Sequence, residues 1–502
     1  MDIKELSAEY ENCSLFMFGR DKVTGVLKIV QTGFAFCMYL RENEVNSDPP
    51  HENNRFFVNV LTQPYIIING HHYFDLSFYN SFTIMNEPPR FCFHDITQDP
   101  GITINFLSKD QFIHFHEEFI KNLSVIEQDL PGYYKIIRKM RPIVKQIESC
   151  KQQLNPRQNE MAPIDFQQIE NYNSEAIEKL TEDCEGQQCN LTFEEALQST
   201  ESLSEFVLHN KIPASHRAEI WCKLAYIGNL PQLNPVISGY YETIKKQWTN
   251  LKQSQLNRCK QFNSNKNSVQ KDINFKKQLF FTVIPDRQIL KLAFNVLMSL
   301  CQTFYELHSY RLDLIYMIRV FLAMFTRKMN KNSDGSYSFI VGENMIMSQE
   351  SLEAAIYWSV IVLLEKAEAR MFLTGGQEYI QNTAVVFNQV VSRFSPLALD
   401  LVRSKGPPKY DTLYSIFCTS FCKYLPFCDC ADILIIGIAS GNIISFLSYL
   451  TGISFLYCVP TILHLPKAVD VGEAVIEAFQ SDENDLYSLS KVALQAIREN
   501  VL

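Results

Sequence analysis

The hydrophobic period of this chain changes near Lys109, and that change limits the folds open to it. From about residue 13 the apolar residues come in short runs: SLFMFGR, GVLKIVQ, FAFCMYL, RFFVNVL, PYIIING, YFDLSF, SFTIM, RFCFHDI and ITINFL. These runs are β-branched and aromatic, and Gly, Pro, Asn and Asp separate them, as in strands joined by turns. Beyond Asp110, QFIHFHEEFIKNL sets Phe112, Phe115, Phe119 and Leu123 three and four residues apart, which is the spacing of one helix face. From about Leu203 to Leu494 the pattern stays helical, as in LEAAIYWSVIVLLEKAEARMFL, TAVVFNQVVSRF and DTLYSIFCTSFCKYL, with SFIVGENMIMSQ, RSKGPPK and PFCDC as connections. A β-rich unit followed by an all-helical one is therefore expected, a multidomain α+β chain.

The boundaries follow from composition. Residues 1–128 form the β-rich module closed by an amphipathic helix, and 203–494 the all-helical domain. Between them, 129–202 is a connector: YYKIIRKMRPIVKQIESC is a basic helical pattern, and from Lys151 onward Gln, Glu and Asn dominate, as in a solvated linker. A second such tract, 253–271, is rich in Asn, Gln, Lys and Ser and reads as a long loop inserted in the helical domain.

Charge and cysteine usage exclude several functions. A chain of 502 residues with net charge −9 lacks the concentrated positive field that binds nucleic acid. The N-terminus MDIKELSAEYENC is no secretory signal, and the 14 cysteines show no disulfide-framework spacing. A reduced, cytoplasmic setting is expected, with the sequons at Asn122 and Asn190 unglycosylated. Ile433–Leu463 carries no charged side chain and exceeds the roughly 20 residues of a membrane span. Gly437, Gly441, Asn442, Gly452 and Pro460 interrupt it, so it is expected as a buried helical pair and not as a transmembrane helix.

No cofactor or metal is expected. The helical part holds no P-loop, dinucleotide fingerprint or nucleophile elbow. His114 and His116 are two apart and point to different helix faces, and His71 and His72 fall in a loop. Cys418, Cys422, Cys428 and Cys430 lie too close together for standard zinc knuckles and read as small buried residues.

The stretch KIPASHRAEIWCKL carries a motif. Ile212 and Pro213 precede Arg217, and Arg217 and Trp221 are four apart on one helix face. This stretch resembles the first signature of the TBC domain, the fold of Rab GTPase-activating proteins. Later features follow in that family's order over about 270 residues. SGYYETIKKQW resembles its next helix, Tyr310 matches the tyrosine of its Y-x-Q-G signature, and Glu353 matches a glutamate that begins a long helix. The closing region, SPLALDLVRSKGPPKYDTLYSIFCTSFCKYLPFCDCADIL, lacks the family's tryptophans near Tyr414 and near Ile435 and Ile436. The strands closed by one helix ahead of this domain resemble a pleckstrin-homology (PH)-like barrel.

The resemblance implies an all-α TBC domain whose usual mechanism inserts an arginine and a glutamine into the nucleotide site of a Rab. An arginine finger is worth about 10³–10⁵ in rate. In INFKKQL the arginine position is Leu279 and the preceding aspartate position is Lys276; in the Y-x-Q-G element the glutamine is Leu312 and the glycine Asp313. Leucine supplies neither charge nor donor. The expectation is a non-catalytic module that docks a Rab-family GTPase or serves as a structural subunit of a large assembly. It would lie in the cytoplasm, with peripheral contact to endomembranes, cytoskeleton or cilium compatible with the sequence. Lys276, Lys277, Arg287 and Arg311 would form its docking surface. The alternative is an active GTPase-activating protein with rearranged catalytic residues.

Overall fold

The computed structural model describes residues 3–5, 10–17, 21–32, 35–42, 65–68, 71–75, 79–95, 100–122, 125–127, 132–136, 189–256, 259–303, 310–367, 377–463, 469–479 and 486–501, with single positions 181, 369 and 373. The strand expected in RFFVNVL, the 137–150 part of the basic helix, most of the linker, and Leu123 lie outside these residues. The chain divides into two units, Met1–Arg138 and Lys139–Leu502.

The first unit is an antiparallel sheet. Its strands are β1 (Ile3–Glu5), β2 (Tyr10–Met17), β3 (Asp21–Thr32), β4 (Ala35–Glu42), β5 (Tyr65–Ile68), β6 (His71–Asp75), β7 (Tyr79–Asn86), β8 (Pro89–Asp95), β9 (Pro100–Asn105), β10 (Val125–Glu127) and β11 (Tyr133–Ile136). They pair in the order β10-β11-β7-β8-β9-β2-β3-β4-β6-β5, with β1 on β3. Two expectations are corrected here. His71 and His72 open β6 instead of lying in a loop, and Tyr133–Ile136 is a strand instead of the start of a helix. The order is linear, and among the described residues no pair joins β10 to β5. The expected closure into a barrel is therefore not found, and what stands is an antiparallel sheet.

Alternation along the strands sorts the two sheet faces. Phe82, Phe91 and Phe93 point to the side that receives helix α1 (Lys109–Asn122), where Phe112, Phe115 and Phe119 meet them. Phe91 packs edge-on to Phe115 at 5.0 Å and Phe82 edge-on to Phe119 at 5.2 Å. Each such ring contributes on the order of 1.5–3 kcal/mol by leaving water. The intervening residues Ser81, Thr83 and His94 are buried on the opposite face, where Thr83 bonds His94 at 3.1 Å and Tyr133 donates to Ser81 at 3.0 Å. His114 bonds the Tyr10 hydroxyl, while His116 packs against Phe112 and Tyr134, and burial lowers its pKa.

The second unit is mainly helical. In chain order its helices are α2 (Phe193–Ala196), α3 (Thr200–His209), α4 (Arg217–Leu224), α5 (Pro235–Thr249), α6 (Gln253–Leu256), α7 (Lys260–Phe275), α8 (Lys277–Phe281), α9 (Arg287–Thr303), α10 (Asp313–Phe325), α11 (Gln349–Lys366), α12 (Gln377–Phe394), α13 (Pro396–Ser404), α14 (Asp411–Thr419), α15 (Phe427–Ala439), α16 (Ile443–Tyr457), α17 (Val459–Leu463), α18 (Val471–Ala478) and α19 (Leu486–Val501). Short polar side chains start several of them. Thr192 and Glu195 form a reciprocal capping box on α2, Asn234 caps α5 ahead of Pro235, and Ser348 caps α11.

Two expectations change in this unit. The tract 253–271, expected as a loop, is largely helix α7. Phe262, Asn265, Val269 and Ile273 recur at three and four residues and are buried, so a sparse apolar stripe outweighs the polar composition. The connection before α11 is a small antiparallel sheet of β12 (Lys328–Lys331), β13 (Tyr337–Val341) and β14 (Met345–Ser348). The uncharged stretch Ile433–Leu463 forms the end of α15, then α16 and α17, broken at Ser440–Asn442 and mostly buried among its described residues. Among the described residues no helix is long and apolar enough to cross a membrane.

Candidate functional site

Helix α4 is tied to distant parts of the second unit. The Arg217 guanidinium donates from Nε and Nη2 to the two oxygens of Asp432 on α15, at 2.6 and 2.7 Å. Burial works against the charged guanidinium, but the Asp432 carboxylate and its hydrogen bonds raise its pKa. The Tyr487 hydroxyl from α19 donates to Asp432 at 3.2 Å and accepts the Ile212 N–H at 2.7 Å, so the Ile212-Pro213 segment is held by the same carboxylate. Trp221 is fully buried. Its indole N–H donates to Ser359 at 2.8 Å and its ring lies 5.1 Å from Phe321. Arg217 and Trp221 thus hold α4 against α15, α10 and α11.

Glu353 organises a second buried cluster. It accepts from Tyr241 (2.8 Å), Lys245 (2.6 Å), Asn295 (2.7 Å) and Gln349 (2.8 Å), gathering α5, α9 and α11 on one carboxylate. Four donors offset the cost of removing the charge from water.

The segment around Leu279 and Leu312 is built differently. Leu279 on α8 is 0% exposed and belongs to the core. Lys276 ends α7, its N–H donating to Asp272 O at 2.7 Å. Although it was expected on a docking face, its side chain is buried, with the ammonium 5.4 Å from the Phe275 ring and 5.8 Å from that of Tyr316. Tyr316 follows Leu312 by four residues, so the two lie on one side of the start of α10. The Tyr310 N–H, just ahead of α10, donates to the Asn265 side chain on α7 at 3.2 Å, a second tie between α7 and the entry to α10. Among the described residues the Tyr310 hydroxyl is buried without a hydrogen-bond partner, and burial raises its pKa far above the usual phenol range.

The end of α7 and the start of α10 therefore meet. What they present to solvent is apolar and basic: Phe275 is 73% exposed and Leu312 38%, with Lys277 exposed at the head of α8. Arg311 is partly turned toward Asp313, 3.7 Å away, and Arg287 is exposed at the start of α9.

The remaining candidates are structural. Cys418, Cys422, Cys428 and Cys430 are free and buried, and burial pushes the Cys418 thiol up to about 12. Among the described residues no group of His, Cys, Asp and Glu could hold a metal ion. Sequence reading missed Asp432, Tyr487, Tyr241, Lys245 and Asn295, all of which are partners distant in the chain. One signal was available for Asp432, a carboxylate set in the apolar helical run FCDCADILIIGIA.

The chain is similar to the Ypt/Rab-GAP domain of Gyp1p, at 12% identity over 66% of this chain and 98% of that one, with TM-score 0.46. It is also similar to the Chlamydomonas flagellar RabGAP TBC domain, at 12% identity over 67% of this chain and 96% of that one, with TM-score 0.38. No curated protein matches the chain. Residues 214–458 match the family profile described as the Rab-GTPase-TBC domain. On that match, the chain carries a TBC (Rab-GAP) domain over residues 214–458.

Proposed function

We propose that the TBC domain of this chain docks a GTP-loaded small GTPase of the Rab family without accelerating hydrolysis. The observation that carries this reading is the burial of Leu279. At the position that the sequence resemblance gives to the family's arginine finger, the side chain is apolar, fully enclosed and part of the core. Leu312, at the position that the resemblance gives to the glutamine, is exposed but offers no hydrogen bond to an attacking water. Around them, Phe275, Leu312 and Lys277 form an exposed apolar and basic face suited to holding a partner.

The N-terminal unit packs helix α1 on one face of its antiparallel sheet, and strands β10 and β11 of that sheet follow the helix. We propose this unit as a second binding surface, so that the whole chain acts as a cytoplasmic scaffold. The test of the GTPase reading has two parts. Binding to a Rab panel is measured with GTP and GDP loaded, and phosphate release is measured with and without the full chain. Nucleotide-dependent binding without faster release is expected. Binding that ignores the nucleotide sinks the docking reading. Faster release, abolished by Lys277→Ala, Arg287→Ala or Arg311→Ala, establishes instead an active enzyme with rearranged residues.

A further inference from the structure

The net charge of −9 is an average over unlike parts of the chain. From Thr243 to Pro285 there are eight lysines, one arginine and a single carboxylate, Asp272. The whole chain has 55 acidic residues against 46 basic ones, so this stretch reverses its sign. Two of the lysines turn inward: Lys245 donates to Glu353, and the Lys276 ammonium lies 5.8 Å from the Tyr316 ring. Lys252, Lys260, Lys266, Lys271 and Lys277 are exposed.

Helix α7 gives this charge a direction. Phe262, Val269 and Ile273 bury one side of it. Lys260 and Lys271 stand about three turns apart on the opposite side, and the exposed Lys266 lies on its flank. Ser264, Asn267, Ser268 and Asn274 fill the rest of the outward face, and all are exposed, short and uncharged. The lysines do not serve the helix itself. Its first turn holds no acidic residue and its last turn no basic one, while Lys260 is its first residue. That arrangement opposes the helix dipole. A helix face that is only solvated gains from opposite charges four residues apart, and α7 has one carboxylate, the partly buried Asp272.

The residue types narrow the partner. Protein interfaces are depleted in lysine and serine and are anchored by aromatic residues and arginine. Nucleic-acid and phosphopeptide sites favour the planar fork of arginine. Lysine is a compact point charge on a long stem. Several of them above small polar residues suit a diffuse anionic surface that imposes no fixed geometry.

We propose that the outward face of α7, with Lys260, Lys266 and Lys271, rests on a lipid surface rich in anionic headgroups. This contact stands apart from GTPase docking, because none of the three lysines belongs to the face formed by Phe275, Leu312 and Lys277.

The full chain is sedimented with vesicles of phosphatidylcholine, without and with phosphatidylserine at about 30%, which supplies the negative potential of an anionic leaflet. Binding is expected only to the anionic vesicles, and it should fall away between about 0.1 and about 0.5 M salt as the charges are screened. The triple variant Lys260→Gln, Lys266→Gln, Lys271→Gln removes the charge and keeps similar helix propensity. Each replacement should weaken partitioning about fivefold, and the three together on the order of 100-fold, with the melting temperature unchanged. A control with Lys121→Gln, Lys328→Gln and Lys331→Gln loses the same net charge from other exposed positions and should bind as wild type does. No binding to the anionic vesicles, a triple variant that binds like wild type, or a control that weakens equally overturns the proposal. Tighter binding to single-stranded RNA than to the vesicles, lost in the same triple variant, assigns the face to nucleic acid and overturns it too.

Discussion

The Arg217 guanidinium closes a two-bond fork on the Asp432 carboxylate across 215 residues of sequence. This pair joins the first helix of the TBC domain to α15, and Tyr487 extends the join to α19. Removing one partner leaves the other charge buried and alone. Arg217→Ala is expected to cost about 3–5 kcal/mol in denaturant unfolding. Arg217→Lys, which keeps the charge but loses the planar fork, should recover only part of that. A loss within about 0.5 kcal/mol for Arg217→Ala, the usual range for exposed sites, would show the fork to be ornamental.

Glu353 accepts four hydrogen bonds, and one of its donors is charged. Glu353→Ala should destabilise by about 3–5 kcal/mol, because Lys245 and three neutral donors lose their acceptor at once. A double-mutant cycle between Glu353→Gln and Lys245→Met isolates the ionic part. A coupling near zero would mean that the neutral donors hold the carboxylate by themselves.

The Asp470 carboxylate caps α18 and accepts from Thr412 at 3.0 Å. Burial raises its pKa, and its hydrogen bonds to Glu473 and Thr412 oppose the rise without cancelling it. A raised folded-state pKa means stability that is present below the unfolded value and lost as pH rises through the folded one. Asp470→Asn keeps the cap and removes the ionisation. The variant should melt above wild type at pH 7, and the gain should vanish below about pH 3.5, where both states of the aspartate are mostly protonated. An equal gain at both pH values would contradict the shift.

Gly472 lies where α18 meets the start of α14. A Cβ built there would stand 2.3 Å from the Leu413 nitrogen and 2.6 Å from the Thr412 carbonyl carbon. Backbone cannot yield as a side chain can, so Gly472→Ala should cost about 1–3 kcal/mol or more. Thermal unfolding unchanged within a degree would show that the two helices slide apart freely.

Phe275 is largely exposed beside the buried Lys276. If this face docks a GTPase, Phe275→Asp should weaken binding at least about tenfold, as for an aromatic anchor at an interface. Its melting temperature should stay close to that of wild type. Full affinity in this variant would move the docking face elsewhere on the domain.

Some of these residues were readable from local pattern and others were not. The switch from strand to helix at α1 followed from periodicity, because Phe112, Phe115 and Phe119 have no other way to share a face. Arg217 and Trp221 mark the start of the TBC domain through the family resemblance and the order of the features that follow, since Arg and Trp four residues apart occur in many unrelated helices. Helix α7 was missed because four buried residues in sixteen barely register against Asn, Lys and Gln. The closed barrel is what the resemblance of strands plus a closing helix to a PH-like module implies, but such an order does not say which edges pair.

The sequence by itself determined the order of the units, the helical faces and the leucines at Leu279 and Leu312, since these depend on residue identity and short spacing. Tertiary structure alone decided that Lys276 is buried over Tyr316, that Asp432 answers Arg217, and that Glu353 gathers Tyr241, Lys245 and Asn295. Those outcomes depend on which distant side chains share one desolvated space. Charge is cheap in water and costly in a core, so the role of each ionic residue was settled only by its neighbours across the fold.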